Sequence, residues 1–312
     1  MPNAESRVPG MISGVLLIDK PSGPTSHDVV ARLRRTTGER RMGHTGTLDP
    51  RATGLLALVL GQATRLASLL TGSDKTYDAA IRLGVGTDTD DAAGSPIGQP
   101  TESLPDDATV AAALGGFVGS QDQRPPAYSA KKIAGRKAYE LAREAAPVEL
   151  TPVQVTVHSL TMTGRTGDLV RVEVRASSGF YVRALARDLG ERLGCGAHLD
   201  SLRRTEVGRW PVSAALPLDE AEALGRDVLS RLITPADALP DLSGVRLTSS
   251  GLQRVGHGNP VGPEHFIGGL PMAGPAGWSG PVRPVKLLDG DGRLVALAHA
   301  RGGALHPVVV LG

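Results

Sequence analysis

At 312 residues the chain has room for one large domain and a small one, each with its own core. A hydrophobic content of 40% and a charged content of 21% describe a soluble globular protein. The net charge of +2 excludes a uniformly basic surface, so any polyanionic partner must be met by a local patch.

The first twelve residues read as a flexible lead-in without the apolar stretch of a signal peptide. No run reaches transmembrane length, so the expected location is the cytoplasm, away from membranes. Gly14 to Lys20 reads as a buried strand ending in a positive charge. After the turn Pro21-Ser22-Gly23-Pro24, Thr25 or Ser26 caps a helix with Val29, Val30 and Leu33 on one face.

The next stretch, GHTGTLDPRATGLLALVLGQATR from Gly43 to Arg65, organises the rest. Asp49 precedes Pro50, which drives it out of helical geometry and narrows the directions open to its carboxylate. Leu55 to Leu60 is apolar throughout and predicts a fully buried strand anchoring the loop. Asp-Pro alone is ordinary turn chemistry. A plain turn, however, has no need of His44, Thr45, Thr47 and Thr53 crowded around the acid. A carboxylate held there can serve as nucleophile or general base, and a close arginine would keep it ionised.

Ala63 to Leu70 then suggests a short helix, and Lys75 to Val85 a strand with Tyr77 near its start. Thr87 to Gly98 is a loop, and a helix starts at Asp106 or Asp107. From Arg124 to Arg143 six basic residues face one acid, with Tyr128 and Tyr139 among them. Arg124, Lys131, Lys132, Arg136 and Lys137 are the candidate contacts; a nucleic-acid surface and a solvated loop and helix both fit.

Two strands, Val153 to Thr163 and Leu169 to Ala176, lead into SSGFYVR and a helix with Val182, Leu185, Ala186, Leu189 and Leu193 at helical spacing. Cys195, the single cysteine, rules out an intramolecular disulfide and reads as a buried thiol. Leu199 to Val207 predicts a strand and Leu218 to Leu232 an amphipathic helix. From about Ser243 glycine and proline become dense, and VRPVKLL, LVALAHA and PVVVL read as strands of a small β domain. No dinucleotide fingerprint, phosphate loop or metal-spaced cluster stands in the chain, so no cofactor and no metal are expected.

GVLLIDKPSGPTS, GHTGTLDPRATG, KTY at Tyr77, SSGFYVR and LRRT from Leu202 together resemble the TruB family of bacterial tRNA pseudouridine synthases over about residues 14 to 207. The resemblance implies an α+β fold: a large mixed, mainly antiparallel sheet flanked by helices, spanning 13–240. An RNA-binding lobe would be inserted at about 123–150, and a PUA-like β domain would occupy 243–312. Its Gly268 to Pro284 insert departs from the family pattern.

By the same resemblance the chain isomerises uridine 55 of the TΨC arm of tRNA without a cofactor, as a monomer. Asp49 is then the nucleophile, Arg183 its ion-pair partner, and Tyr77 the residue stacked on the flipped uracil. Tyr181 and Leu202 line the base pocket and His44 fills the space the uridine leaves. Lys20 and Arg65 support the loop or contact phosphate. The competing readings are a non-catalytic RNA-binding protein or chaperone and a guide-dependent relative.

Overall fold

The buried strand expected at the amino-terminal end is Gly14–Lys20 (β1), followed by Met42–His44 (β2) and Thr53–Leu60 (β3). The computed structural model describes residues 12–126, 151–268 and 283–311, and the backbone of short strands at 132–133 and 136–137. β1 and β3 pair antiparallel from Gly14 opposite Leu60 to Lys20 opposite Gly54. Between them lies the helix Ser26–Thr37. Thr25 caps it in a reciprocal box with Asp28, and Gly38, in the left-handed region at φ 74, ends it.

β3 is buried on both faces. Leu56, Leu58 and Leu60 pack with Val29, Val30 and Leu33 of that helix. Leu55, Ala57 and Val59 enter a second cluster on the other side. This explains the unbroken apolar run, since a strand covered on both sides shows no alternation.

The remaining strands of the first half are Lys75–Leu83 (β4), Gly86–Thr87 (β5), Pro96–Ile97 (β6), Gly119–Gln123 (β7), Lys132–Ile133 (β8) and Arg136–Lys137 (β9). Val153–Thr166 (β10), Leu169–Ala176 (β11), Ala197–Val207 (β12), Trp210–Pro211 (β13) and Leu216–Pro217 (β14) follow. Ten of them form one sheet in the order β14-β1-β3-β12-β4-β11-β10-β7, with β13 on β12 and β2 on β3. Only β1 with β14 and β3 with β12 are parallel, so the sheet is mixed and mainly antiparallel, as expected. β11 alternates cleanly: Val170, Val172, Val174 and Ala176 face a core shared with Ile81 of β4 and with Leu185 and Leu189 of the helix Val182–Leu193.

The carboxy-terminal strands are Gly244–Arg246 (β15), Val285–Leu288 (β16), Leu294–Arg301 (β17) and Ala304–Val310 (β18), which form a separate four-stranded sheet. The helix Ser249–Gly256 contributes Val255 to its apolar core. Leu294, Leu297 and Leu311 pack into the cluster that holds Val15, Leu55 and Leu66 of the large sheet side, so the two sheets share buried surface.

Two helices differ from expectation. Ala63 to Leu70 divides into a 3-10 turn, Gly61–Leu66, and a short α-helix, Ala67–Thr71. Leu218 to Leu232 is an α-helix only over Leu218–Ala223, because Gly225 takes a left-handed φ of 58 and the chain continues as a 3-10 turn over Gly225–Arg231.

Candidate active site

The Asp49 loop is pinned from below by groups that all point at main-chain atoms. The Ser26 hydroxyl accepts from the Leu48 N–H at 2.8 Å and donates to the Leu48 carbonyl at 3.0 Å. The Pro50 carbonyl accepts from the Gly23 N–H at 2.9 Å and from Lys20 Nζ at 3.1 Å. Lys20 is fully buried and also donates to the carbonyls of Pro21 and Pro24. Its amine is pushed down to about 8 by burial, with Arg204 acting in the same direction and Asp49 against it. Lys20 therefore ties the loop to the turn before the first helix from inside.

At the far end of the loop Gly54 sits at φ 100, where a Cβ would stand 2.3 Å from the Arg204 carbonyl. Both the left-handed backbone and this close approach of β3 to β12 require glycine.

Asp49 meets Arg183 at the cavity wall. Arg183 Nε lies 2.9 Å from Asp49 Oδ2, and Nη2 donates to Oδ1 at 3.3 Å, a two-point pairing. Arg183 is itself held from behind: Nη1 donates to the Thr89 carbonyl at 3.3 Å and lies 3.8 Å from Asp91 Oδ2. The guanidinium is 7% exposed and the carboxylate 41%, so the cation is set in the wall and the acid faces the opening.

The arginine was expected to leave Asp49 with a depressed pKa. Burial instead raises the carboxyl above its ordinary value and Asp91 adds to the rise, while Arg183 and Lys20 oppose it. The open side of the carboxylate lets water moderate that rise.

The cavity has a volume of about 450 Å³ and brings together Asp49, Arg183, Tyr77, Tyr181 and Leu202 from four separate segments. Tyr77 is on β4 and Leu202 on β12, where bulges re-aim the strand. Tyr181 caps the helix Val182–Leu193, and its backbone is gripped by the buried Gln123 amide, which accepts from its N–H at 2.8 Å and donates to its carbonyl at 3.0 Å.

The other expected residues fall elsewhere. His44 ends β2, outside the cavity lining. Its Nδ1 is buried without a hydrogen-bond partner, and burial, with Arg204 and His27, lowers its pKa and favours the neutral ring. Arg65 is also outside the cavity, its guanidinium donating to the Val310 carbonyl of β18.

Of the basic lobe, Arg124 is exposed and its carbonyl accepts from Arg187 Nη2 at 2.9 Å. Lys131 lies outside the described residues, as do the side chains of Lys132, Arg136 and Lys137.

Two cavity residues escaped the sequence reading. Lys75 is buried, donates to the carbonyls of Thr71 and Ser73 at 2.6 Å, and is pushed down to about 8 by burial, with Arg204 adding to the effect. Arg204 is buried on β12. Both lie in stretches quoted above, KTY and LRRT, but nothing local marks a lysine or arginine as buried. Among the described residues no group of three or more His, Cys, Asp and Glu side chains is arranged to hold a metal ion.

Residues 34–182 match the TruB family pseudouridylate synthase N-terminal domain, and residues 183–239 match the tRNA pseudouridylate synthase B C-terminal domain. The tRNA pseudouridine synthase B of Thermobifida fusca is 44% identical over 96% of this chain and 99% of that protein. That of Aromatoleum aromaticum is 42% identical over 95% of this chain and 92% of its own length.

Among solved structures, one of an H/ACA RNP bound to a substrate RNA containing 2'-deoxyuridine aligns with a TM-score of 0.71 at 23% identity. It covers 97% of this chain and 86% of that one, and speaks for the fold. With both family domains matched end to end across the segments that build the cavity, the chain belongs to the TruB family of pseudouridylate synthases.

Proposed function

We propose that the protein converts uridine 55 in the TΨC arm of tRNA to pseudouridine, with Asp49 as the nucleophile. The observation that carries this reading is the Asp49–Arg183 pair on the wall of a cavity lined by Tyr77, Tyr181 and Leu202. The relatives of similar length are tRNA pseudouridine synthases, which supplies the substrate class.

In this reaction the C1′–N1 bond breaks and a C1′–C5 bond forms. The C5 proton is lost and N1 regains one, so atoms balance within the nucleotide. A base inside a folded RNA elbow must first be extruded, at a cost of a few kcal/mol. The apolar and aromatic lining offers the flipped base a stacking surface that offsets part of this cost. Tyr77 stacks on the uracil beside C5, and Tyr181 and Leu202 hold its faces. Asp49 works as the anion, and Arg183 preserves that state against the burial that favours protonation. His44, kept neutral, occupies the place in the RNA from which the base has gone.

In the same reading 13–240 is the catalytic domain, the segment at about 123–150 is its RNA-binding lobe, and 243–312 is a PUA-like domain toward the acceptor side. The test is tritium release from tRNA labelled at uracil C5, with nucleoside mapping of position 55. Wild type releases label from that position and Asp49→Asn does not. Full activity of Asp49→Asn would remove Asp49 from the chemistry.

A further inference from the structure

Arg204 is the most deeply buried charged residue of the cavity, 2% exposed, against 6% for both Lys75 and Arg183. It stands on β12 opposite Tyr77 of β4 on one side and Gly54 of β3 on the other. Its Nε donates to the Leu55 carbonyl at 2.7 Å and its Nη2 to the Gly46 carbonyl at 3.1 Å. Gly46 precedes Asp49 and Leu55 follows it, so one rigid guanidinium holds both roots of the Asp49 loop. Burial lowers the pKa of this guanidinium, and the Tyr77 side chain, which hydrogen-bonds to it, acts against that fall.

Among the described residues no carboxylate pairs with Arg204. Burying a charge on two carbonyl oxygens and one tyrosine side chain, with no opposite charge beside it, is expensive, and an apolar side chain of similar length would fill the same place at lower cost. The charge is therefore retained for what it holds in register.

We propose that Arg204 is a positioning residue that sets the spacing of Asp49 and Tyr77 across the cavity, by clamping the roots of the Asp49 loop to the strands beneath. The inference rests on the roles given to Asp49 and Tyr77 above. Those two side chains must address one nucleotide from different strands, and a misplacement of about 1 Å costs on the order of 100-fold in rate.

The test compares full-length wild type, Arg204→Lys, Arg204→Met and Asp49→Asn by tritium release from tRNA, with tRNA affinity and thermal unfolding measured on each. Arg204→Met is expected to lose about 100-fold in kcat with KM and tRNA affinity within about 3-fold. Arg204→Lys, which keeps the charge but not the two-point grip, is expected to recover part of that loss. Unchanged kcat in the Arg204 variants beside an inactive Asp49→Asn would overturn this inference alone. So would a loss carried entirely by KM, or the unfolding of both Arg204 variants, which would make it a residue of general stability. Activity in Asp49→Asn would instead overturn the reading on which the inference stands.

Discussion

The two sheets of this protein use their interiors differently. Around the Asp49 end of the large sheet, Lys20, Lys75, Arg183 and Arg204 are all buried. Their hydrogen bonds run mostly to main-chain carbonyls, with Asp49 the carboxylate that Arg183 grips at two points. Among the described residues the core of the carboxy-terminal sheet is apolar, from Val245 and Leu247 to Leu287, Ala296 and Leu305. Hydrophobic packing stabilises without fixing directions, whereas a charge held by two or three carbonyls has few orientations open to it. The large sheet gives up stability to fix a loop, and the small sheet keeps it.

The sharpest way to break this contrast is at Asp49 itself. Asp49→Asn is expected to lower pseudouridine formation by about 1,000-fold or more while the protein stays folded, read by tritium release beside circular dichroism. A fold-wide collapse would mean that the ion pair holds the sheet together and is not reserved for the site.

The converse change lies in the small sheet. Leu287 is fully buried, and Leu287→Ala is expected to cost about 2–5 kcal/mol of stability through lost contacts and a residual cavity. In denaturant titrations the midpoint should fall, with kcat of the folded fraction unchanged. A matching fall in kcat would show that the carboxy-terminal core shapes the catalytic cavity directly.

How far the sequence reveals this division depends on the range of the contacts involved. The buried β3 run, a helix capped at Thr25 or Ser26, the pre-proline Asp49 and the placement of Arg183 at a helix start were all legible, because each depends on neighbours within a few positions. Lys20 read as the charged end of a strand, and only the fold shows its ammonium enclosed by three carbonyls. Arg204 was hidden for a stronger reason. Its role depends on the parallel pairing that sets residue 204 beside residue 54, a contact made across about half the chain. Gly225 is the reverse case: a local residue that broke a helix whose apolar periodicity continues past it.

Lys75 sharpens the contrast through pH. Its amine is shifted from 10.5 to about 8. A base with a depressed folded pKa binds fewer protons when folded, so folding stability rises as pH climbs from about 8 to 10.5 and is flat below. Lys75→Met removes this dependence. Wild type should therefore gain on the variant by at most about 3 kcal/mol across that window, measured by urea unfolding at stepped pH. A constant difference would mean that Lys75 is not held as a buried cation at neutral pH.

The smallest effect is expected where the two sheets meet. Arg65 donates to Val310 at the end of β18 and, with Lys286, whose ammonium donates to the Ala236 carbonyl, adds a polar link to a junction made chiefly by Leu294, Leu297 and Leu311 against Val15, Leu55 and Leu66. If apolar packing is what unites the halves, Arg65→Ala should cost no more than about 1 kcal/mol, because an exposed hydrogen bond is exchanged for one to water. The unfolding transition should stay single and kcat unchanged. A split into two transitions would reverse the conclusion, since it would show that one exposed guanidinium, and not the shared leucine cluster, couples the small sheet to the site-bearing one.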